Sequence, residues 1–207
     1  MPAGTDLAAG LEAMADAARA EGFTPYVVPG GGSTPLGSLG YVACAEETLQ
    51  QAFEQGVAFD HVVAASGSGG THAGLLAGLH GATANLPLTG VSVRADREAQ
   101  EAKIHRLASE TYALAGGTGG VPREAVVVRD DQVGPGYSLP TEAMGEAVRL
   151  LARTEAILAD PVYTGKALAG LIAMVREGTL RADQRVLFVH TGGSPALHAY
   201  PAQVRSG

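Results

Sequence analysis

One glycine-rich segment of this sequence has the composition of an anion-binding loop. It reads Ser66, Gly67, Ser68, Gly69, Gly70 and Thr71, and we call it the glycine loop. It lies between an apolar run typical of a buried strand and a pattern typical of a helix. Glycines allow successive backbone N–H groups to face one point, and the start of a helix adds a partial positive charge. With hydroxyl donors from Ser68 and Thr71, the segment predicts a site for a phosphate dianion.

Two well-characterised nucleotide loops do not match the glycine loop. No Gly-Lys-Ser/Thr follows it, which excludes a nucleoside-triphosphate loop. Its glycines lack the spacing of the dinucleotide fingerprint. The next predicted strand ends in Val93-Arg94, where a nucleotide-dependent oxidoreductase needs an acidic residue. That enzyme class is therefore disfavoured, and the alternative to a phosphate site is a plain strand-to-helix turn.

Two tyrosines lie in matching positions before predicted helices. Tyr137 occurs in GPGYSLPTEA and Tyr163 in DPVYTGKA. Both should face the same edge of the sheet. A loop tyrosine is often a packing residue with a hydrogen-bonded hydroxyl, so a packing role and a functional role both stay open. Lysine, the usual amine nucleophile, occurs only as Lys103 and Lys166.

The composition limits the class of protein. The 207 residues carry 14 Lys and Arg against 21 Asp and Glu, a formal charge of −7, and contain no basic run. Binding to nucleic acid or to an anionic membrane is therefore not expected. Apolar residues make up 46% and charged residues 17%, which indicates a globular chain rather than a disordered one. Neither a membrane span nor a signal peptide is found, so we expect a soluble cytoplasmic protein.

Metal binding is not expected either. Cys44 is the one cysteine, which excludes a cysteine-cluster site. Four histidines have no partner at ligand spacing, namely His61, His80, His105 and His198. We interpret His190, at the end of the last predicted strand, as structural. His72, which follows the glycine loop, is a candidate donor behind it.

The elements that must position these residues alternate between strands and helices. Strands are predicted at 25–29, 61–65, 89–94, 125–129 and 186–189. Helices are predicted at 5–21 (capped by Thr5 or Asp6), 34–55, 70–80, 96–114, 138–158 and 164–177 (capped by Thr164). The alternation predicts an α/β fold, a mostly parallel twisted sheet with helices on both faces. Ligands bind at the carboxyl ends of such strands, where the glycine loop and two further glycine-rich segments, 30–34 and 190–193, should lie.

Five ordered motifs resemble a known family. They are PGGGSTPLGSLGYVACAEE, VVAASGSGGTHAGLLAGL, GYSLPTEA, DPVYTGKALAGLI and FVHTGGSPAL. Together they resemble the D-cysteine desulfhydrase and 1-aminocyclopropane-1-carboxylate deaminase family, pyridoxal-phosphate enzymes with the fold of the tryptophan synthase β subunit. The resemblance extends from about Gly22 to Tyr200. It implies pyridoxal 5'-phosphate as cofactor and a small amino acid as substrate, and we expect a homodimer in the full-length form.

The resemblance also implies roles for individual residues. The glycine loop, Ser66 to Thr71, would hold the cofactor phosphate, in agreement with its own chemistry. Tyr137 and Tyr163 would line the substrate side of the cofactor as catalytic residues. Thr191, in the strand-end HTGG, would lie near the pyridine nitrogen. Thr164 stands where the deaminases carry a glutamate.

One departure from the family pattern is large. Family members carry the lysine that forms the Schiff base in an Asn-Lys motif within their first third, and no such motif occurs here. Lys166 belongs to the YTGK motif instead. The resemblance therefore implies that the chain corresponds to the C-terminal two-thirds of such an enzyme. We expect residues 1–29 to be a remnant of the small domain and residues 30–207 to form an incomplete large cofactor-binding domain.

The residues next to the cofactor favour one of the two family activities. Opening a cyclopropane needs a strong electron sink, which a carboxylate at the pyridine nitrogen supports. Thr164 and Thr191 offer only hydroxyls, and these suffice when thiolate leaves the β carbon. The sequence therefore favours β-elimination from D-cysteine to pyruvate, ammonia and sulfide. The alternatives are 1-aminocyclopropane-1-carboxylate deamination and a non-catalytic fragment or partner subunit that binds the cofactor phosphate.

Overall fold

A computed structural model describes residues 7–202 of the chain. The helices are α1 Leu7–Ala20, α2 Pro35–Glu54, α3 Gly70–Gly81, α4 Arg97–Leu114, α5 Glu142–Glu155 and α6 Thr164–Arg176. The strands are β1 His61–Ser66, β2 Leu88–Ser92, β3 Val127–Arg129 and β4 Val186–Val189. Short 3-10 helices occupy Gly30–Gly32, Arg123–Ala125 and Ser194–Ala199. The predicted caps of the first helix, Thr5 and Asp6, lie outside the described residues.

The four described strands form one parallel sheet in the order β3-β2-β1-β4. All of their carboxyl ends therefore meet at one edge. Ser66 pairs with Ser92 across β1 and β2, and Ala64 pairs with Val189 across β1 and β4. The glycine loop and the segment that follows Val189 consequently leave adjacent strands at the same edge of the sheet.

Alternate residues of β1 pack on opposite faces of the sheet. Val62 and Ala64 face the core formed with α3 and α4, whereas Val63 and Ala65 face the core formed with α6. A strand covered on both faces must be apolar throughout, which is why this run does not alternate. The α/β prediction, with a parallel sheet between two layers of helix, is confirmed.

Local capping sets the ends of several helices as the sequence predicts. The Thr34 hydroxyl accepts from the Gly37 amide, and Pro35 occupies the first turn of α2. The Asp96 carboxylate accepts from the Ala99 amide at the start of α4. These bonds satisfy amides that have no partner within their own helix.

Two predicted elements are wrong in extent or kind. Residues 25–29 are not a strand, because no other described segment pairs with them and two prolines remove donors. The helix predicted at 138–158 spans only 142–155. Ser138 has a left-handed φ of +61° and Thr141 is the cap, so the helix begins after them, and a left-handed Ala156 ends it.

Membrane and metal features are not found in the described part of the chain. None of the helices between residues 7 and 202 combines the length and apolar character needed to cross a bilayer. Within the same residues, no three or more His, Cys, Asp or Glu side chains group closely enough to hold a metal ion.

Candidate active site

The glycine loop joins the carboxyl end of β1 to the start of α3. Gly69 has a φ of +110°, a conformation that L side chains rarely adopt. Among the described residues, nothing accepts a hydrogen bond from the amides of Gly67, Ser68 and Gly69. Three consecutive unpaired N–H groups at a helix N-terminus are the donor set that an anion requires.

Ser33 holds the part of the glycine loop that leads into α3. Its hydroxyl donates to Ser68 Oγ at 2.8 Å and accepts from the Gly70 amide at 3.0 Å. The amide of Gly70 is thereby occupied by a side chain from the 30–34 segment. The sequence placed that segment at the same edge but did not identify Ser33, because the two residues are 37 positions apart.

A buried polar network supports the loop from behind. The Ser66 hydroxyl contacts His72 Nδ1 at 3.1 Å and accepts from Gln100 Nε2 at 2.9 Å. All three side chains are fully buried or nearly so. The hydroxyl of Ser66 therefore acts within this network rather than at the open side of the loop.

The Gly67 carbonyl is held from the same side. It accepts from Gln100 Nε2 at 3.0 Å and lies 3.4 Å from Lys103 Nζ. Burial, Arg94 and Arg106 lower the pKa of Lys103. Two donors on this carbonyl fix the orientation of the peptide plane that follows Gly67, and with it the direction of the Ser68 amide.

A glycine inside β2 makes room for His72. A Cβ at Gly90 would overlap the imidazole of His72, so no larger residue fits under the ring. A glycine within a strand is a sign of such a close approach, and this signal could have identified the network from the sequence. His72 Nε2 has no hydrogen-bond partner in the described residues.

His72 should make the stability of the fold depend on pH. Burial lowers the pKa of His72 to about 4, against an ordinary value of 6.5. The unfolded chain therefore binds this proton at a higher pH than the folded chain does. The contribution of neutral His72 should be complete above pH 6.5 and decline towards pH 4, by about 3 kcal/mol in total.

Urea unfolding across this pH range measures the effect in the parent and in His72→Asn. We expect His72→Asn to flatten the fall in stability between pH 6.5 and 4. His198→Asn is the matched control, since this side chain is exposed and should leave the slope unchanged. An identical pH slope in the parent and in His72→Asn would show that His72 is not the buried neutral group.

The two predicted tyrosines meet over the glycine loop. Their hydroxyl oxygens are 2.7 Å apart, and their rings are edge to face at 5.8 Å between centroids. A Cβ at Gly67 would lie 2.7 Å from the Tyr163 ring, so the ring packs directly on the loop backbone. The Arg94 guanidinium lies 5.6 Å from the centre of the Tyr137 ring.

This environment keeps Tyr163 protonated. Burial raises the pKa of Tyr163, and its hydrogen bond with Tyr137 raises it further. The Tyr137 ring is partly exposed, whereas Tyr163 is half-buried. The two phenols therefore share one hydrogen bond, and Tyr137 is the member of the pair that solvent reaches.

Asp160 places Tyr163 at the start of α6. One oxygen of this buried carboxylate accepts from the amides of Val162 and Tyr163, both at 2.8 Å. The other accepts from the amide and the hydroxyl of Thr164, both at 2.7 Å. Tyr163, not Thr164, is the cap position, and Thr164 is the first residue of the helix. The prediction that Thr164 caps this helix is therefore wrong.

Thr164 has no hydrogen left for another acceptor. Its hydroxyl donates to Asp160 Oδ1 and accepts from the Asp160 amide at 2.8 Å, and its side chain is fully buried. A hydroxyl carries a single donor. In this arrangement Thr164 cannot donate to an unprotonated ring nitrogen.

Replacing Asp160 by asparagine should destabilise the fold. The amide would turn one acceptor into a donor against N–H groups that already point at it. We expect a loss of about 2–4 kcal/mol, since each buried donor left without a partner costs about 1–3 kcal/mol. Urea unfolding measures the loss, and Asp183→Asn is the exposed control. Equal stability of the Asp160 variant and the parent would contradict this account of the cap.

Thr191, which the sequence predicts near the cofactor, lies at the same edge of the sheet as the two tyrosines. It is exposed, two residues after Val189, and its hydroxyl has no partner among the described residues. The preceding His190 accepts from the Gly192 amide and donates to the Leu158 carbonyl at 3.0 Å. His190 therefore shapes the turn, and Thr191 is the free polar group at its tip.

Taken together, the site fits a phosphate ester. Unpaired amides and the Ser68 and Thr71 hydroxyls lie at a helix start, and Lys103 and Arg94 supply positive charge nearby. No carboxylate among residues 7–202 bonds to the glycine loop. A dianion placed there gains donors and meets no fixed negative charge.

Comparison with protein families decides the class. A family model described as pyridoxal-phosphate dependent enzyme matches residues 2–192. The chain belongs to the pyridoxal-phosphate-dependent enzyme family. This membership confirms the resemblance inferred from the five motifs. The matched range includes the glycine loop, both tyrosines and Thr191.

Individual relatives agree with the membership. A D-cysteine desulfhydrase of Salmonella typhi is 45% identical over 200 residues, which cover 97% of this chain and 60% of the relative. The Salmonella newport protein of the same name matches equally. The chain thus spans about 60% of the length of the curated relatives it matches.

Solved structures give the same picture. The crystal structure of an ACC deaminase homologue superposes with a TM-score of 0.87 at 34% identity, covering 99% of this chain and 60% of that chain. A hydrogen sulfide-producing enzyme of Fusobacterium nucleatum has a TM-score of 0.55 at 16% identity, covering 91% of this chain and 59% of that one. The second likeness shows the fold alone.

Proposed function

We propose that this chain is the cofactor-holding part of a D-cysteine desulfhydrase-type lyase, which eliminates sulfide from the β carbon and yields pyruvate and ammonia. The observation that carries the proposal is the hydrogen-bonded pair of Tyr137 and Tyr163, packed against Gly67 of a loop with three unpaired amides. Tyrosine hydroxyls next to a phosphate site can transfer protons to or from a substrate that is attached to a phosphorylated cofactor. The activity belongs to the protein in which these residues meet a lysine-bearing segment.

Pyridoxal phosphate, when bound, supplies an electron sink for an amino acid attached to it. The amides of Gly67, Ser68 and Gly69, with the hydroxyls of Ser68 and Thr71, would hold its phosphate. Thr191 would offer its free hydroxyl to the ring nitrogen. We do not assign that bond to Thr164, because Thr164 donates to Asp160.

The tyrosine pair would orient the substrate and hold a proton. Tyr163, whose pKa is raised, stays neutral and donates or accepts through Tyr137. Tyr137 is 45% exposed, so a proton can leave the pair to solvent on its side, and the Arg94 guanidinium lies over the face of its ring. This assigns orientation to Tyr163 and proton exchange to Tyr137.

Hydroxyls rather than carboxylates at the ring favour elimination over cyclopropane opening. Asp160, the one buried carboxylate of residues 7–202, already accepts four hydrogen bonds at the start of α6. Thr191, the free group, is a hydroxyl. A weakly polarised ring suffices when thiolate is the leaving group, which supports the desulfhydrase over the deaminase.

The assembled enzyme is expected to be a cytoplasmic homodimer that acts on a small amino acid. Within it, residues 30–207 would form the larger, cofactor-holding domain, and residues 1–29 would belong to the smaller one. The exposed Phe23, Tyr26 and Val28 support this assignment, since apolar side chains of this size are normally covered.

A chimera tests the proposed function. The lysine-bearing segment of the Salmonella typhi relative is joined to this chain, and the product is assayed with D-cysteine, L-cysteine and 1-aminocyclopropane-1-carboxylate. We expect equal amounts of sulfide and pyruvate from D-cysteine. A four-carbon 2-oxo acid from the cyclopropane, without sulfide release from D-cysteine, would favour the deaminase. No turnover in a folded chimera that binds the cofactor would support a non-catalytic partner subunit.

A further inference from the structure

Lys166 is fully buried, although it is one of only two lysines in the sequence. It lies in the first turn of α6, three residues after Tyr163. Among residues 7–202 it forms no ion pair with a carboxylate. Burying an ammonium without a counter-charge costs several kcal/mol, so a specific set of interactions must offset it.

Two backbone carbonyls provide those interactions. Lys166 Nζ donates to the Val133 carbonyl at 2.7 Å and to the Gly136 carbonyl at 3.0 Å. These carbonyls bracket the turn through Gly134 and Pro135, and Tyr137 is the next residue. Burial lowers the pKa of Lys166, as expected for an amine held only by neutral acceptors.

Apart from Lys166, the segment is held by backbone bonds at its two ends and by the Tyr200 hydroxyl, which donates to the Ser138 carbonyl at 2.8 Å. Val133 donates to the Asp130 carbonyl at its start, and Leu139 donates to the Gly136 carbonyl beyond it. Gly134 and Gly136 both have left-handed φ values, of +62° and +150°. Such a turn has many conformations of similar energy, and two charge-assisted bonds from one rigid helix select one of them.

We propose that Lys166 is the positioning residue of Tyr137: it anchors the 133–136 turn to α6 so that the Tyr137 hydroxyl meets that of Tyr163. The N-terminus of α6 then determines the positions of both phenols: Asp160 positions Tyr163, and Lys166 positions Tyr137. The effect of Lys166 on catalysis rests on the proposed function, whereas its anchoring of the 133–136 turn does not. The role differs from that of a lysine that attacks the cofactor, since both carbonyls already bind the amine.

Tyrosine NMR tests the link. The chain is labelled with carbon-13 at the tyrosine ζ carbon, and Tyr137→Phe and Tyr163→Phe assign the two signals among six tyrosines. In the parent background, Tyr137→Phe should shift the Tyr163 signal, because it removes the hydroxyl partner. In the Lys166→Met background the same substitution should leave the Tyr163 signal in place. Methionine keeps the volume and removes the donors.

Arg181→Met is the control background, since it removes a cation from an exposed ion pair with Asp183; there the shift should persist. An undiminished shift in folded Lys166→Met would overturn the proposal. A second measurement needs no variant. With nitrogen-15 at lysine ζ, only two ammonium signals exist, and that of Lys166 should exchange its protons slowly. Fast exchange at both lysines would overturn the proposal as well.

The outcome is separable from that of the proposed function. Both NMR measurements use the chain without cofactor or substrate. A failed Lys166 test would leave phosphate binding and the chimera's activity unaffected. A failed chimera assay would likewise leave the tyrosine link intact.

Discussion

The 207-residue polypeptide alone should release neither pyruvate nor sulfide from D-cysteine, even with pyridoxal phosphate in excess. The chemistry needs an amine that can attack the cofactor and then take the α proton. Lys166 Nζ is buried and bonded to two carbonyls, and Lys103 Nζ lies behind the glycine loop at the Gly67 carbonyl. Neither amine faces the open side of the loop, where a substrate would enter.

Borohydride reduction with pyridoxal phosphate, followed by mass spectrometry, measures attachment to lysine. We expect no stoichiometric label on either lysine and no turnover above that of free cofactor. The chimera with the relative's lysine-bearing segment is the positive control. Stoichiometric label on Lys103 or Lys166, together with sulfide release, would contradict the account and make this chain a complete catalyst.

Gly69→Asp should weaken binding of pyridoxal phosphate at least about 100-fold. The substitution forces a side chain into a φ of +110° and puts its Cβ 3.0 Å from Ile104 Cδ1 of α4. The loop must shift to make room, and its unpaired amides then no longer face one point. Each hydrogen bond to a charged group is worth about 1.5–3 kcal/mol, and a loss of about 2.8 kcal/mol lowers affinity about 100-fold. Fluorescence or calorimetric titration with the cofactor measures this loss.

Gly178→Asp is the matched control for backbone strain. Gly178 also has a left-handed φ, of +76°, and a Cβ there would meet no atom within 4 Å. The two variants therefore share the positive φ and the added charge, but only Gly69→Asp lies in the glycine loop and crowds Ile104. We expect Gly178→Asp to bind the cofactor like the parent. Equal affinities for Gly69→Asp and the parent would mean that the glycine loop is only a turn.

The sequence predicted the elements whose signals are local. The β1 strand is apolar without alternation because both of its faces are covered, and Thr34 with Pro35 starts α2 by its own capping bond. The glycine loop was recognisable for the same reason. Its glycines, its hydroxyls and its place before a helix all lie within six residues.

The sequence did not predict bonds between distant segments. Ser33 reaches Gly70 over 37 positions, Gln100 reaches Ser66 over 34, and Lys166 reaches Val133 over 33. Periodicity and capping carry no information at such separations, since only the folded sheet edge brings these residues together. The strand predicted at 25–29 was wrong because a strand also needs a partner from elsewhere in the chain. Its local pattern favours a strand, but no described segment pairs with it.

Thr164 shows how a local side-chain contact changes a role inferred from sequence. Its place after the second tyrosine suggested a hydroxyl at the ring nitrogen. The folded chain uses that hydroxyl at Asp160, four residues earlier. A hydrogen bond of this kind depends on the turn that places Asp160 under α6, and residue type alone does not specify it.

The most direct test of the central claim is an amide titration of the parent chain by NMR. Nitrogen-15-labelled protein is titrated with inorganic phosphate and then with pyridoxal phosphate, and the backbone signals are followed residue by residue. We predict that the largest shifts for both ligands fall on Gly67, Ser68 and Gly69. Shifts confined to other segments, with these three amides unmoved at saturation, would contradict the assignment of the glycine loop as the cofactor-phosphate site.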